Sequence, residues 1–107
     1  MFAIIKNSTD MRSPNYKIEF TTSKKKARDA LSAKMKYTYD DPKAAKNWHN
    51  DMTTVYKMPL GWRRPTKSFI KKEVERKRGS IYSPNENGVM ANEIFKAGYK
   101  IESESEI

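Results

Sequence analysis

Two stretches near the start of the chain, Phe2-Ala3-Ile4-Ile5-Lys6 and Tyr16-Lys17-Ile18-Glu19-Phe20-Thr21, decide how the fold is read. In the second, Tyr16, Ile18 and Phe20 alternate with Lys17 and Glu19, the period of two that gives a strand one apolar and one polar face. The first is a short apolar run. Between them, Asn7 to Asn15 is dense in Asn, Ser, Asp and Pro, residues that favour turns. The spacing predicts an antiparallel β-hairpin with a long loop.

After Thr21 the period changes. Thr22 or Ser23 stands where an N-cap belongs, and Lys24–Tyr37 follows with Ala27, Leu31 and Met35 at four-residue intervals and Ala30 beside them. That is one buried stripe of a helix. Asp41-Pro42, a cap followed by proline at the first helical position, predicts a second helix over about 42–56, burying Ala45, Trp48, Met52, Val55 and Tyr56 and stopped by Pro59 and Gly61. A third is expected from Thr66 to Arg78, with Phe69, Ile70 and Val74 inward and Gly79 past its end. Ser83-Pro84-Asn85-Glu86 has capping-box spacing for a fourth helix reaching Ala97, with Gly98 as its stop. Asn87-Gly88 is also a type I′ turn signal, which makes a hairpin the rival reading; a helix beginning near Val89 is preferred.

Tyr99-Lys100-Ile101 reads as a last strand added to the hairpin, and residues 102–107 as a frayed, flexible acidic tail. The expected class is α+β: a small antiparallel sheet with three or four helices on one face, residues 1–101 forming one domain. A chain of 107 residues is long enough for one modest core. Its 2 Trp, 6 Tyr and 4 Phe argue against disorder. Cysteine is absent, which removes disulfides, zinc–thiolate sites and thiol nucleophiles together. The apolar start is too short for a signal peptide and no 18-residue apolar run follows, so the cytoplasm is the expected compartment and no membrane partner is expected.

Charge is the strongest feature. The formal net charge is +9, and it is unevenly placed: residues 1–78 hold 20 of the 22 bases and 8 of the 13 acids, a net of +12, against −3 for the remainder. Such like charge repels itself and awaits a counter-charge, most commonly nucleic acid.

Two constellations carry this charge. The first is Lys24, Lys25, Lys26 and Arg28. Lysines in a first helical turn oppose the helix dipole by about 0.3–1 kcal/mol each, whereas three lysines beside unpaired amides make a phosphate site. The plain alternative is a solvated turn. The second runs from Lys57 to Arg78, with 9 bases and 2 acids. Here Arg63 and Arg64 offer forked donors to phosphate, Lys67, Lys71 and Lys72 follow on a helix, and Trp62 stands ready either to stack on a base or to pack on the core. Glu73 with Lys77 is an ordinary helix-surface pair. The two constellations are expected to converge into one site.

Lys34-Met35-Lys36-Tyr37-Thr38-Tyr39 interleaves bases and rings in a way that can serve single-stranded RNA, but a plain edge strand or helix end is the preferred reading. His49 is the only histidine, which excludes a two-histidine ribonuclease. On a 42–56 helix it projects away from the apolar stripe. Asp40, Asp41 and Asp51 are the carboxylates available to magnesium, but the pair Asp40-Asp41 is explained more simply by capping. No cofactor motif is present.

The expected function is non-catalytic nucleic-acid binding, RNA or single-stranded DNA ahead of duplex because of the rings among the bases. The runner-up is a protein–protein inhibitor or adaptor covering an acidic protein or a nucleoprotein enzyme, a role that small, cysteine-free, Lys-, Asn- and Tyr-rich viral accessory proteins often fill. A small toxin-type ribonuclease comes third.

Overall fold

A computed structural model describes residues 1–10, 13–37, 51–79 and 84–107. Among these the fold is α+β, with a four-stranded antiparallel sheet and three helices. In chain order they are β1 (Phe2–Asp10), β2 (Ser13–Thr21), α1 (Lys24–Tyr37), β3 (Asp51–Lys57), α2 (Lys67–Arg76), α3 (Glu86–Ala97) and β4 (Tyr99–Lys100), then a 3₁₀ turn at Glu104–Glu106. The sheet order is β2-β1-β3-β4, so β1 is central.

The hairpin forms, but with longer strands and a shorter connection than the turn-rich composition suggests. Pairing runs from Phe2↔Thr21 to Asp10↔Ser13, so the polar residues Asn7 to Asp10 belong to the ladder. Once the apolar ends fix the register, each further pair satisfies backbone groups that would otherwise need water.

Three expectations are corrected. First, Asp51–Lys57 is a strand and not the end of a helix. It pairs with β1 from Phe2↔Lys57 to Ser8↔Asp51. Thr53, Thr54, Val55 and Tyr56 are β-branched or aromatic and favour a pleated surface, and the second edge of β1 supplies a partner that periodicity alone does not reveal. The rest of the expected 42–56 helix lies outside the described residues. Second, β4 joins β3, through Tyr56↔Lys100 and Lys57↔Tyr99, rather than the hairpin. Third, the helices cover both faces of the sheet. Phe2 and Ile4 of β1 pack with Ala27 and Leu31 of α1, Val55 and Ile101. Ala3 and Ile5 point the other way, into Ile70 of α2, Val89, Met90, Ala91 and Ile94 of α3, and Met58. The alternation of one strand feeds two cores.

Thr66 caps α2 by accepting from the Phe69 N–H at 3.2 Å. Asn85 caps α3 by accepting from the Gly88 N–H at 2.8 Å, so this helix begins at Glu86 and not near Val89. At Gly98 an added Cβ would lie 2.9 Å from the Ile94 carbonyl oxygen and 3.0 Å from Met58 Sδ. Glycine is what lets α3 turn so closely into β4.

The acidic C-terminus folds back onto the α1 side of the sheet. Ile107 packs on the Phe2–Ile4 core, Ser32 donates to Glu104 at 2.9 Å, and the Tyr99 hydroxyl donates to Glu106 at 3.0 Å. Among the described residues no helix is long and apolar enough to cross a membrane.

The packing sets a stability contrast. Ile94→Ala, at a side chain with no exposed surface, should lower the unfolding free energy by about 2–5 kcal/mol. Leu60→Ala, at a fully exposed position, should change it by no more than about 0.5 kcal/mol. Urea titration followed by circular dichroism measures both.

Candidate functional site

The end of β2 organises the basic surface, because consecutive residues there face opposite sides of the sheet. Phe20 pairs with Ala3 and faces α2 and α3, while Thr21 pairs with Phe2 and faces α1. Thr21 Oγ1 accepts from the Ser23 N–H at 3.0 Å and Ser23 Oγ accepts from the Lys26 N–H at 3.2 Å, which turns the chain directly into α1. Lys24, Lys25, Lys26 and Arg28 therefore emerge on one side of this corner. All four are exposed, and α1 has no acid in its first turn.

On the other side, Phe20 receives the segment that leads into α2. The Trp62 ring lies 5.8 Å from the Phe20 ring, centroid to centroid, and the Arg64 guanidinium carbon lies 4.7 Å from the Phe20 centroid. That is within cation–π range. Arg63 beside it is exposed, and Lys67, Lys71 and Lys72 follow along the exposed side of α2, which also lacks an acid in its first turn.

The two constellations thus lie on opposite faces of the sheet and share only the corner at Phe20 and Thr21, in place of one convergent site. Alternation along β2 is the physical cause. Trp62 is half-buried against the core cluster, with Phe20 against its ring.

Few of these cations are neutralised. Lys26 Nζ is 3.6 Å from Glu19 Oε1. Glu73 binds Arg76 through two hydrogen bonds, at 2.9 and 3.1 Å, and lies 3.9 Å from Lys77. The Arg76 hydrogen bonds hold the Glu73 carboxyl below the usual carboxylate range. Among the described residues no ion pair engages Lys24, Lys25, Arg28, Arg63, Arg64, Lys67, Lys71 or Lys72. The acids of the C-terminus do not reach them either; Glu102 pairs with Lys100 at 3.8 Å.

Two further features escaped the sequence reading. Lys6 and Lys17 stand directly opposite each other on β1 and β2, both exposed, on the α1 side of the sheet. Like charges in that position are unfavourable by a few tenths of a kcal/mol or more, about 0.2–1. Period two places each on the polar face, but only the register brings them together. The other is Leu60, whose side chain is fully exposed between Pro59 and Gly61; a leucine flanked by turn formers was the available signal.

A depression of about 260 Å³ is lined by Lys57, Met58, Pro59, Leu60, Ala97 and Tyr99. A smaller cavity of about 100 Å³ lies among Ile5, Asn7, Tyr16, Thr54, Tyr56 and Phe95, where burial pushes the Tyr56 hydroxyl pKa up. The sheet edge offers little to an incoming strand. Pro14 has no N–H, and Asn87 Nδ2 donates to the Tyr16 carbonyl at 2.9 Å.

His49, Asp40, Asp41, Thr38 and Tyr39 lie outside the described residues. No group of three metal-ligating side chains occurs among the described residues. Comparison with protein-family models, with curated proteins and with solved structures finds no match for this chain.

The C-terminal latch has a defined pH response. Backbone N–H groups of Glu102 and Ser103, with the Tyr99 hydroxyl, hold the Glu106 carboxyl below its ordinary value, and Glu106 in turn raises the Tyr99 pKa. A depressed carboxyl stabilises the folded state above its unfolded pKa and loses that contribution as pH falls through the folded value. The latch should therefore hold at neutral pH and release on acidification below the ordinary carboxylate range. Glu106→Gln should return Tyr99 toward its ordinary pKa. A proton NMR titration of the Tyr99 ring resonances reads both effects.

Proposed function

We propose that this protein binds nucleic acid without catalysis, through phosphate contacts around the end of β2. The observation that carries the reading is the run from Lys57 to Lys72. It contains six bases and no acid, and no ion pair among the described residues engages any of them. A chain shaped only for stability would place acids at the start of α2, where they suit the helix dipole. Here Arg63, Arg64 and Lys67 stand there instead, with Arg64 steadied on Phe20. A polyanion passing the end of β2 would meet these cations on one side and Lys24, Lys25, Lys26 and Arg28 on the other. The opposed Lys6 and Lys17 add charge to the α1 side.

The earlier preference for single strands rested on rings among the bases. Phe20 packs against the Trp62 ring, which leaves that ring less free to stack on a base, so charge is what draws the polyanion. The same charge suits an acidic protein face, the inhibitor or adaptor alternative. Loss of co-purifying partners after nuclease treatment separates nucleic-acid binding from it.

Affinity for nucleic acid should fall linearly with salt on logarithmic axes, with a slope of about −0.7Z to −0.9Z for Z phosphates contacted. Replacing Arg63, Arg64, Lys67 and Lys71 together by Gln should flatten that slope, while mixed RNA stays intact on incubation. Fluorescence anisotropy across a salt series is the measurement, and an affinity indifferent to salt refutes the reading.

A further inference from the structure

We propose that the Pro59–Leu60–Gly61 turn is an apolar wedge that enters a base step of double-helical DNA from the minor groove, while Lys57, Arg63, Arg64 and Lys67 hold the adjoining phosphates. The proposal rests on the nucleic-acid reading above and adds the form of the ligand and the contact that distorts it.

Singly exposed leucines are ordinary on protein surfaces. Leu60 differs in how firmly it is presented. At 107% relative exposure it touches almost nothing, yet the chain on either side is anchored. Met58 is 5% exposed, and its N–H donates to the Met1 carbonyl at 2.9 Å. Trp62 rests on Phe20, and its N–H donates to the Pro59 carbonyl at 3.1 Å, closing the turn. Gly61 has φ +82°, the left-handed conformation that a type II turn requires at its third position and that glycine adopts without strain. Proline fixes the backbone just before the tip. The leucine is thus preorganised, so little further ordering is needed when it is buried in a ligand.

The surroundings specify the ligand. A B-form minor groove is about 6 Å wide, which admits a narrow turn tip but not a helix. Leu, Met and Pro are among the side chains that part base steps from that groove and kink the duplex toward the major groove, and cations beside such a wedge meet the phosphates that border the minor groove. Lys57, paired with Phe2 on the α1 side, precedes the tip by three residues, and Arg63, Arg64 and Lys67 follow within seven on the α2 side, so cations leave the tip toward both faces. Next to Leu60, Met58, Ala97 and Tyr99 line the depression of about 260 Å³, an apolar floor against which deoxyribose can lie. A protein pocket that accepted Leu60 would need an acidic rim to meet the same cations. DNA supplies anion and apolar step together, which favours it.

The test uses the full chain and a duplex of about 20–30 bp containing one flexible pyrimidine–purine step, labelled at its ends for energy transfer and carrying 2-aminopurine at the step. The wild-type protein should bend the duplex by about 20–90° and raise the 2-aminopurine emission. Leu60→Ala should abolish both signals and leave the salt slope of binding unchanged, and Leu60→Met should restore them. Salt-dependent binding to a duplex that stays straight and silent overturns the wedge while leaving nucleic-acid binding intact. So does binding confined to single strands. Failure to bind any nucleic acid at low salt overturns both readings. A Leu60-dependent complex with an acidic protein that survives nuclease treatment assigns the tip to a protein pocket and overturns the wedge.

Discussion

The structure depends on β1 being buried on both faces. Phe2 and Ile4 look one way and Ala3 and Ile5 the other, and all four are at most 5% exposed. A strand with two apolar faces must have neighbours on both edges and layers above and below. The chain supplies β2 and β3 at the edges, α1 on one face, and α2 with α3 on the other. The remaining elements are placed by this demand. Gly98 brings α3 close enough to Met58 and Tyr56 for β4 to reach β3, and Ile101 and Ile107 complete the α1 side.

The arrangement of charge follows from the same constraint. Because helices lie on both faces, their basic starts cannot share a surface; they diverge from adjacent residues at the end of an edge strand. Phe20 anchors one group through Arg64 and Trp62, and Thr21 launches the other through Ser23. Of the acids with partners, only Glu19 meets a member of these groups, Lys26. Glu73 serves Arg76 and Lys77, Glu19 serves Lys26, and Glu102 to Glu106 serve Lys100, Tyr99, Ser32 and their own backbone. A surface with so little internal compensation favours an external anion, at some cost in self-repulsion.

Residue chemistry made some elements legible and left others ambiguous. Thr66 is a short polar side chain just ahead of an apolar periodic run and caps as such residues do, whereas the competing turn signal at Asn87-Gly88 obscured the cap at Asn85. Lys24–Tyr37 was readable from its stripe of small and apolar residues. By contrast, Met52, Val55 and Tyr56 satisfy helical spacing as well as a strand does, and either reading buries Val55. The open edge of β1 decided between them. Residues 102–107 read as a free tail because Ser and Glu alternate there, yet Glu106 finds the Glu102 and Ser103 N–H groups and Ile107 finds the core.

By itself the sequence determined the α+β class, the hairpin, the start of α2 near Thr66, and which residues carry the positive charge. These are properties of residue type and near-neighbour spacing, and they survive without any knowledge of long-range contacts. Only the tertiary structure decided that β3 completes the sheet, that Lys6 faces Lys17, that the two basic groups part around one corner, and that Trp62 turns to Phe20 while Leu60 stands in solvent. Each of those is a question of register or of which face meets which. Side chains separated by tens of residues settle such questions together, when the core closes.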